Sequence, residues 1–148
     1  MKFNMTTLAY PATFKRDEDN RVVVSFPDFP TARTDGADPT ESAAEAADCL
    51  ASAIAFAMSD KTEIPKPSPA KRGQKLIPVP LWISGKLALY WAIRDARISQ
   101  SELARRLCVR ETEVRRMLNP NHESRQEKIH AALAILGKQV ILTYCDAA

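Results

Sequence analysis

The chain has 148 residues, of which 45% are hydrophobic and 26% charged, so it can form one ordinary domain or two small ones. No apolar run approaches the roughly 18 residues of a membrane span, and the first residues lack the apolar stretch of a signal peptide, so we expect a cytoplasmic protein with no membrane partner. The net charge of +3 hides an asymmetry, because residues 5–63 carry eleven acidic and five basic side chains, whereas residues 76–148 carry seven acidic and eleven basic ones. This asymmetry predicts two different partners, with a polyanion at the basic half.

Residues 1–81 predict an α+β domain with the order strand, strand, strand, helix, strand. Residues 5–14 and 21–26 are rich in Thr, Val, Tyr and Phe, as strands are, and the polar residues 16–20 between them suit a hairpin turn. A short strand is expected near residues 32–34. Asp38 suits the N-cap of a helix, Pro39 its first position and Glu41 its third. The apolar stripe expected on that helix comprises Ala43, Ala46, Ala47, Leu50, Ala53, Ile54, Ala57 and Met58.

A loop at residues 64–75 has three prolines, four cations and no acid, so it can be neither a helix nor a central strand. We assign it to the first domain because the strand-like residues 75–81 follow it. The prolines in that strand require it to lie at a sheet edge.

Residues 82–148 predict a second, all-α domain that ends in a short strand. Residues 84–96 suit a core helix. Ser99 with Glu102, and Ser124 with Glu127, have the spacing of capping boxes that open two further helices, and Gly137 is expected to end the last one. Residues 139–144 resemble a strand that has no mate in its own domain, so we expect it to pair with a second copy of the chain.

The strongest functional signal lies between Ile98 and Leu118. Ala104 is small enough for two short helices to cross closely, and the turn at residues 108–110 would join them. The expected apolar seam comprises Leu103, Leu107, Val109, Val114 and Leu118. Five arginines, at positions 105, 106, 110, 115 and 116, exceed what a neutral surface needs, although any helical hairpin with a basic solvated face would share this pattern.

This stretch resembles the helix-turn-helix of Xre, Cro and the phage repressors. The matching positions are Ser99, Gln100, Leu103, Ala104, Val109 and Val114. The resemblance implies that Gln100 contacts a phosphate and that the second helix enters the major groove of double-stranded operator DNA. The candidate DNA-binding residues are Gln100, Arg110, Glu111, Thr112, Arg115, Arg116 and Asn119. Two departures stand out: Cys108 replaces the usual turn glycine, and Arg110 replaces the usual Ser or Thr cap.

The first domain resembles the HicB antitoxins, on an ordered set of short motifs. These are Tyr10-Pro-Ala, Val24-Ser-Phe-Pro-Asp-Phe-Pro30, Thr34-Asp-Gly36 and a helix that contains Glu45-Ala46. The resemblance implies a truncated ribonuclease-H-like fold that binds and blocks a HicA-like, RNA-cleaving toxin, while the second half represses the operon. One short recognition helix reads too few bases, so we also expect a dimer or tetramer, with residues 82–148 serving both DNA binding and dimerisation.

Carboxylates of an acidic antitoxin domain can compete with RNA for the cations of a toxin. The candidate toxin-binding residues are Tyr10, Asp17, Glu18, Asp19 and Asp28. The alternative for each of these acids is ordinary turn chemistry.

Three other functions compete with this interpretation. A metal-dependent nuclease needs converging carboxylates, and residues 6–14 contain none, so we expect no enzyme. The three cysteines are widely spaced and the chain has only two histidines, so we expect no metal and no cofactor. A stand-alone regulator with a ligand-sensing first domain stays open. RNA stacking on Tyr10, Phe14 and Phe26 is disfavoured by the acidic surroundings.

Overall fold

The computed structural model describes residues 3–147, and the chain divides into two compact units, Met1–Ser84 and Gly85–Ala148. The first unit has a four-stranded antiparallel sheet and one long helix, and the second is helical. The α+β class expected from the sequence is therefore confirmed.

The sheet contains β1 (Ala9–Arg16), β2 (Val22–Phe26), β3 (Phe29–Gly36) and β4 (Gln74–Pro78), in the spatial order β3-β2-β1-β4. The hairpin between β1 and β2 forms because the Asp17 carboxylate accepts the backbone N–H groups of Asp19 and Arg21, at 3.0 and 2.9 Å. The edge position expected for the last strand is confirmed, since β4 pairs with β1 alone. The first strand begins at Ala9 rather than at residue 5, and β3 is longer than expected.

The helix α1 (Pro39–Ser59) begins as the sequence predicts. The Asp38 side chain accepts the N–H of Glu41 at 2.9 Å, and the Glu41 carboxylate accepts the N–H of Ala37 at 2.8 Å. Its buried residues include Ala46, Leu50, Ile54, Ala57 and Met58, and the helix packs mainly on β3.

The predicted apolar stripe of α1 was wrong at Ala43, which is exposed. The buried residue in the first turn of α1 is instead Ser42. The Ser42 hydroxyl donates to the carbonyls of Val22, at 3.2 Å, and of Asp38, at 2.7 Å. Gly36 permits this approach, because a Cβ there would lie 2.6 Å from the backbone nitrogen of Ser42. The Thr34-Asp-Gly36 segment, expected as a turn, is instead the end of β3, and its last residue has a steric reason to be glycine.

Two side chains hold the proline-rich loop to the sheet. The Tyr10 hydroxyl donates to the carbonyl of Pro65 at 2.6 Å, and the Asp28 carboxylate accepts both the N–H and the hydroxyl of Ser68 at 3.0 Å. The Tyr10 ring also meets the Phe29 ring edge-on, with a centroid distance of 5.0 Å. The loop is thus a fixed part of the first unit.

The helices of the remaining chain are α2 (Leu81–Ala96), α3 (Gln100–Leu107), α4 (Glu111–Met117) and α5 (Gln126–Ile135). The core of the second unit is formed by Leu89, Ala92, Ile93, Leu103, Ala104, Val114, Met117, Ile129, Ala132 and Leu133. Gly137, with a φ of 72°, ends α5 as predicted, because the N–H groups of Gly137 and Lys138 return to the carbonyls of Ala134 and Leu133.

One expectation for this half was wrong, and the strand expected at residues 139–144 stays a prediction because it requires a second copy of the chain. The Ser124–Glu127 capping box does not form, because Arg125 occupies the N-cap of α5 and the Ser124 hydroxyl contacts other groups. Residues 139–144 form no strand within the described part of the single chain, since a strand needs a hydrogen-bonding partner. Val140, Ile141, Leu142 and Tyr144 are instead exposed to solvent, by 43% to 95%.

Candidate functional site

The helices α3 and α4 are joined by three residues in a tight turn. Cys108 adopts the left-handed conformation, with φ 56° and ψ 39°, and the N–H of Val109 donates to the carbonyl of Ala104 at 3.0 Å. This is the backbone geometry that favours glycine, so Cys108 is strained by about 1 kcal/mol. The turn forms despite the missing glycine.

The crossing of α3 and α4 is made by small and aliphatic side chains. Leu103 and Val114 are fully buried and Ala104 is 4% exposed, as the sequence predicts. Leu107, Val109 and Leu118 pack against the same cluster and are partly buried. The buried Met117 joins this cluster and had not been anticipated from the sequence.

The start of α3 has a side-chain cap, whereas the start of α4 has none. The N–H of Glu102 donates to the Ser99 hydroxyl at 3.0 Å, whereas Arg110, at the N-cap of α4, makes no capping hydrogen bond through its side chain. Glu111 and Glu113 lie in the first turn of α4, where the helix dipole favours acids. The weakness expected from replacing the usual Ser or Thr by Arg110 is therefore visible in the hydrogen bonds.

Two of the five arginines share one acid on α3. The Glu102 carboxylate accepts two hydrogen bonds from Arg105, at 2.7 and 2.9 Å, and one from Arg106, at 2.9 Å. These hydrogen bonds lower the pKa of Glu102 to about 2. The single negative charge of Glu102 thus offsets about one of the two positive charges of Arg105 and Arg106.

The predicted DNA-binding side chains of α4 lie together on an exposed surface, which we call the α4 face. It comprises Arg110, Glu111, Thr112, Arg115 and Arg116. The Glu111 carboxylate accepts the Ser101 hydroxyl at 2.9 Å and lies 3.6 Å from Arg115. Within residues 3–147, the side chains of Arg110 and Arg116 form no ion pair, so their charges are available to a partner.

The other two predicted contacts flank this surface. Gln100 is half-buried at the first position of α3. The exposed Asn119 follows α4, and its side-chain oxygen accepts the N–H of Asn121 at 2.9 Å, which fixes the turn there.

Lys86, on α2, is a buried cation that sequence reasoning missed. Its side chain is 3% exposed, and Nζ donates to the carbonyls of Arg116 and Met117 and to the Ser124 hydroxyl, at 3.1, 3.2 and 2.9 Å. Burial lowers the pKa of Lys86 to about 8. The sequence feature that could have revealed this buried cation is a lysine directly before Leu87, in a helix that is otherwise apolar on its core side.

The predicted toxin-binding residues have different surroundings. Tyr10 is fully buried, so its side chain offers no surface to a partner, and burial raises its pKa. The carboxylates of Asp17 and Asp28 hold the hairpin and the proline-rich loop, as described above. Glu18 and Asp19 are exposed at the tip of the β1–β2 hairpin.

The strand β1 carries no carboxylate. Across residues 3–147, no three His, Cys, Asp or Glu side chains are grouped so that they could hold a metal ion. None of the helices described is long and apolar enough to cross a membrane.

Comparison with known proteins gives matches over most of the chain. Residues 9–88 match the family described as HicB_like antitoxin of bacterial toxin-antitoxin system. "Antitoxin HicB 2" of Photorhabdus laumondii is 37% identical over 135 residues, which are 91% of this chain and 95% of that protein. "Antitoxin HicB 1" of the same organism is 32% identical over 142 residues, or 96% and 90% of the two chains. "Antitoxin HicB" of Escherichia coli is 34% identical over 135 residues, or 91% and 98%.

Proposed function

Because the chain belongs to the family of HicB-like antitoxins of bacterial toxin–antitoxin systems, we propose that it neutralises a HicA-like, RNA-cleaving toxin and represses the operon that encodes both proteins. In this proposal the first unit binds the toxin, the second binds operator DNA, and both act in the cytoplasm without catalysis or a cofactor. The observation that carries the DNA-binding half is the α4 face, where Arg110 and Arg116 are exposed and free of acids.

We assign α3, the turn and α4 to a helix-turn-helix with α4 as the recognition helix. Exposed arginines at the front of such a helix can donate two hydrogen bonds to guanine or contact phosphate. Arg110, Thr112, Arg115 and Arg116 are the proposed DNA contacts of α4. Glu111 is held by Ser101, which favours a role in orienting Arg115 over direct contact with a base. Gln100 and Asn119 are proposed to contact the backbone on either side.

The proposed toxin contacts lie on the acidic first unit. Glu18 and Asp19 are exposed and can compete with RNA for cations of the toxin. Asp17 fixes the hairpin that carries Glu18 and Asp19, because its carboxylate accepts backbone N–H groups of that turn. Asp28 and Tyr10 instead fix the proline-rich loop, near the other end of β2, through Ser68 and Pro65.

A single α4 of seven residues reads few bases, which favours binding as a dimer or tetramer. The exposed apolar residues of the C-terminal tail, residues 139–144, supply a strand that a second copy could pair with. We propose that the tail contributes to self-association of the second unit.

The decisive experiment is copurification with the product of the adjacent gene, followed by a ribonuclease assay with and without this protein. The proposal expects a stable complex and loss of RNA cleavage. A stand-alone regulator would show no complex, and its operator binding would instead respond to a small molecule.

The substitution Arg116→Ala tests the DNA-binding half. We expect a loss of roughly 1–3 kcal/mol in operator binding, measured by fluorescence anisotropy at fixed salt, if Arg116 contacts a base. Arg105→Ala is the matched control, because Arg105 is paired with Glu102 and lies on α3 outside the α4 face, and its effect should be small. Unchanged affinity and sequence preference in Arg116→Ala would contradict the assignment.

A further inference from the structure

The carbonyl end of α4 is bound by a cation from another helix. The last carbonyls of a helix have no partner within it and form the negative end of its dipole. In α4 the carbonyls of Arg116 and Met117 both accept the Lys86 ammonium, at 3.1 and 3.2 Å. Lys86 lies on α2, thirty residues from Arg116 in the chain, so this contact is tertiary.

The same ammonium fixes the loop that follows α4. Its third hydrogen bond goes to the Ser124 hydroxyl at 2.9 Å, and that hydroxyl lies 3.3 Å from the carbonyl of Arg116 and 3.2 Å from Nδ1 of His122. An ammonium has three donors, and all three are used here. One buried group therefore joins α2, the end of α4 and the loop before α5.

Packing alone does not account for a lysine at this position. A buried charge is costly, and a Met side chain of similar length would fill an apolar site without that cost. The ammonium stabilises α4 at its C-terminal end, and α4 has no side-chain cap at its N-terminal end. The C-terminal contacts therefore contribute to the orientation of this short helix, together with its buried Val114 and Met117.

We propose that Lys86 is a positioning residue for DNA binding, which holds the C-terminal end of α4 through Arg116, Met117 and Ser124 and thereby sets the direction of the α4 face. Lys86 acts through α4 and does not itself touch the DNA, because it is buried. This inference rests on the proposed operator binding.

The test is Lys86→Met in the full-length chain, with the duplex that spans the promoter of its own gene as the probe. We expect at least a roughly tenfold loss of affinity, the factor that corresponds to losing one hydrogen bond to a charged group. Lys128→Met is the matched control, because it removes one exposed lysine, paired with Glu113, and should leave affinity nearly unchanged. Equal losses in the two variants would show that charge alone matters and would overturn the proposal.

Amide hydrogen exchange distinguishes positioning from general destabilisation. In Lys86→Met, exchange should accelerate in residues 115–124 while residues 129–133 of α5 keep their protection, and binding of the toxin should be unchanged. Uniform acceleration across the second unit would mean that Lys86 only stabilises the fold, and would contradict the inference.

Ser124→Ala covers the case in which Lys86→Met does not fold. It removes one acceptor of the charged ammonium at a half-buried position and should lower operator affinity roughly tenfold, the factor expected for one hydrogen bond to a charged group. Unchanged affinity in this variant would overturn the role of Lys86. If the wild-type chain binds no operator DNA, the proposed repressor function fails as well, whereas tight binding by all variants rejects the inference on Lys86 alone.

Discussion

At the scale of single residues, three side chains that precede helices, those of Asp38, Ser99 and Ser124, have different hydrogen-bond partners. Asp38 and Ser99 cap their helices because an N-cap depends only on the next three residues. Ser124 has the same local signal, but its hydroxyl accepts Lys86, thirty-eight residues earlier in the chain. A capping box predicted from the sequence takes no account of a hydrogen-bond donor on another helix, here Lys86, that folding brings to the same serine.

The buried Lys86 predicts an unusual dependence of stability on pH. Burial lowers its pKa from 10.5 to about 8, so between these values the unfolded chain holds more protons than the folded one. The contribution of this group to the free energy of unfolding therefore rises as the pH rises through that window.

Urea unfolding of the wild type and of Lys86→Met, from pH 7 to 10.5, measures this contribution. The difference in the free energy of unfolding, wild type minus variant, should grow in favour of the wild type as the pH increases. A difference that falls or stays constant would contradict the burial of a charged Lys86.

At the scale of elements, the turn between α3 and α4 was predicted, including its strained position. The small Ala104 and the apolar seam are a local pattern, and they were found as expected. The candidate contacts on α4 were also brought to one surface, because helical spacing alone decides which side chains face outward. The pairing of Glu111 with Ser101 was missed, since it joins two different helices.

Cys108→Gly is expected to stabilise the second unit by about 0.5–1 kcal/mol, because glycine adopts the left-handed conformation without a Cβ penalty. Chemical denaturation of both proteins measures the change. Cys108→Ala is the control, since alanine keeps the Cβ and should give no gain. Equal stabilities of the alanine and glycine variants would show that the turn is not strained.

At the scale of the whole molecule, the charge asymmetry predicts two parts with different partners, and the charged residues of the two parts fall in different units of the fold, since residues 76–84 carry no charge. The order of strands and helix in the first unit could be predicted because each element has its own composition and is bounded by turn or cap residues. The anchoring of the proline-rich loop could not, because Tyr10 and Asp28 meet Pro65 and Ser68 only after the sheet has formed.

Deleting residues 139–148 tests the proposed role of the tail. The truncated chain should sediment as a smaller species than the full chain and should bind operator DNA more weakly, because two recognition helices would no longer be linked. Deleting only residues 146–148 is the control, since it keeps the exposed apolar residues of the tail. A truncated chain that retains its oligomeric state would exclude the tail from the interface.

The pairing of Glu102 with Arg105 and Arg106 also bears on how salt would affect the proposed complex. Arginines that already neutralise an internal carboxylate displace few condensed ions when they approach a phosphate, so they add little to the entropy gained on binding. Glu111 pairs with Arg115 in the same way, so the five arginines less these two carboxylates leave about three net positive charges, and the affinity of each protomer should depend on ionic strength as if it carried about three mobile charges instead of five. A repressor with these internal ion pairs would lose less affinity for its operator when the ionic strength of the cell rises.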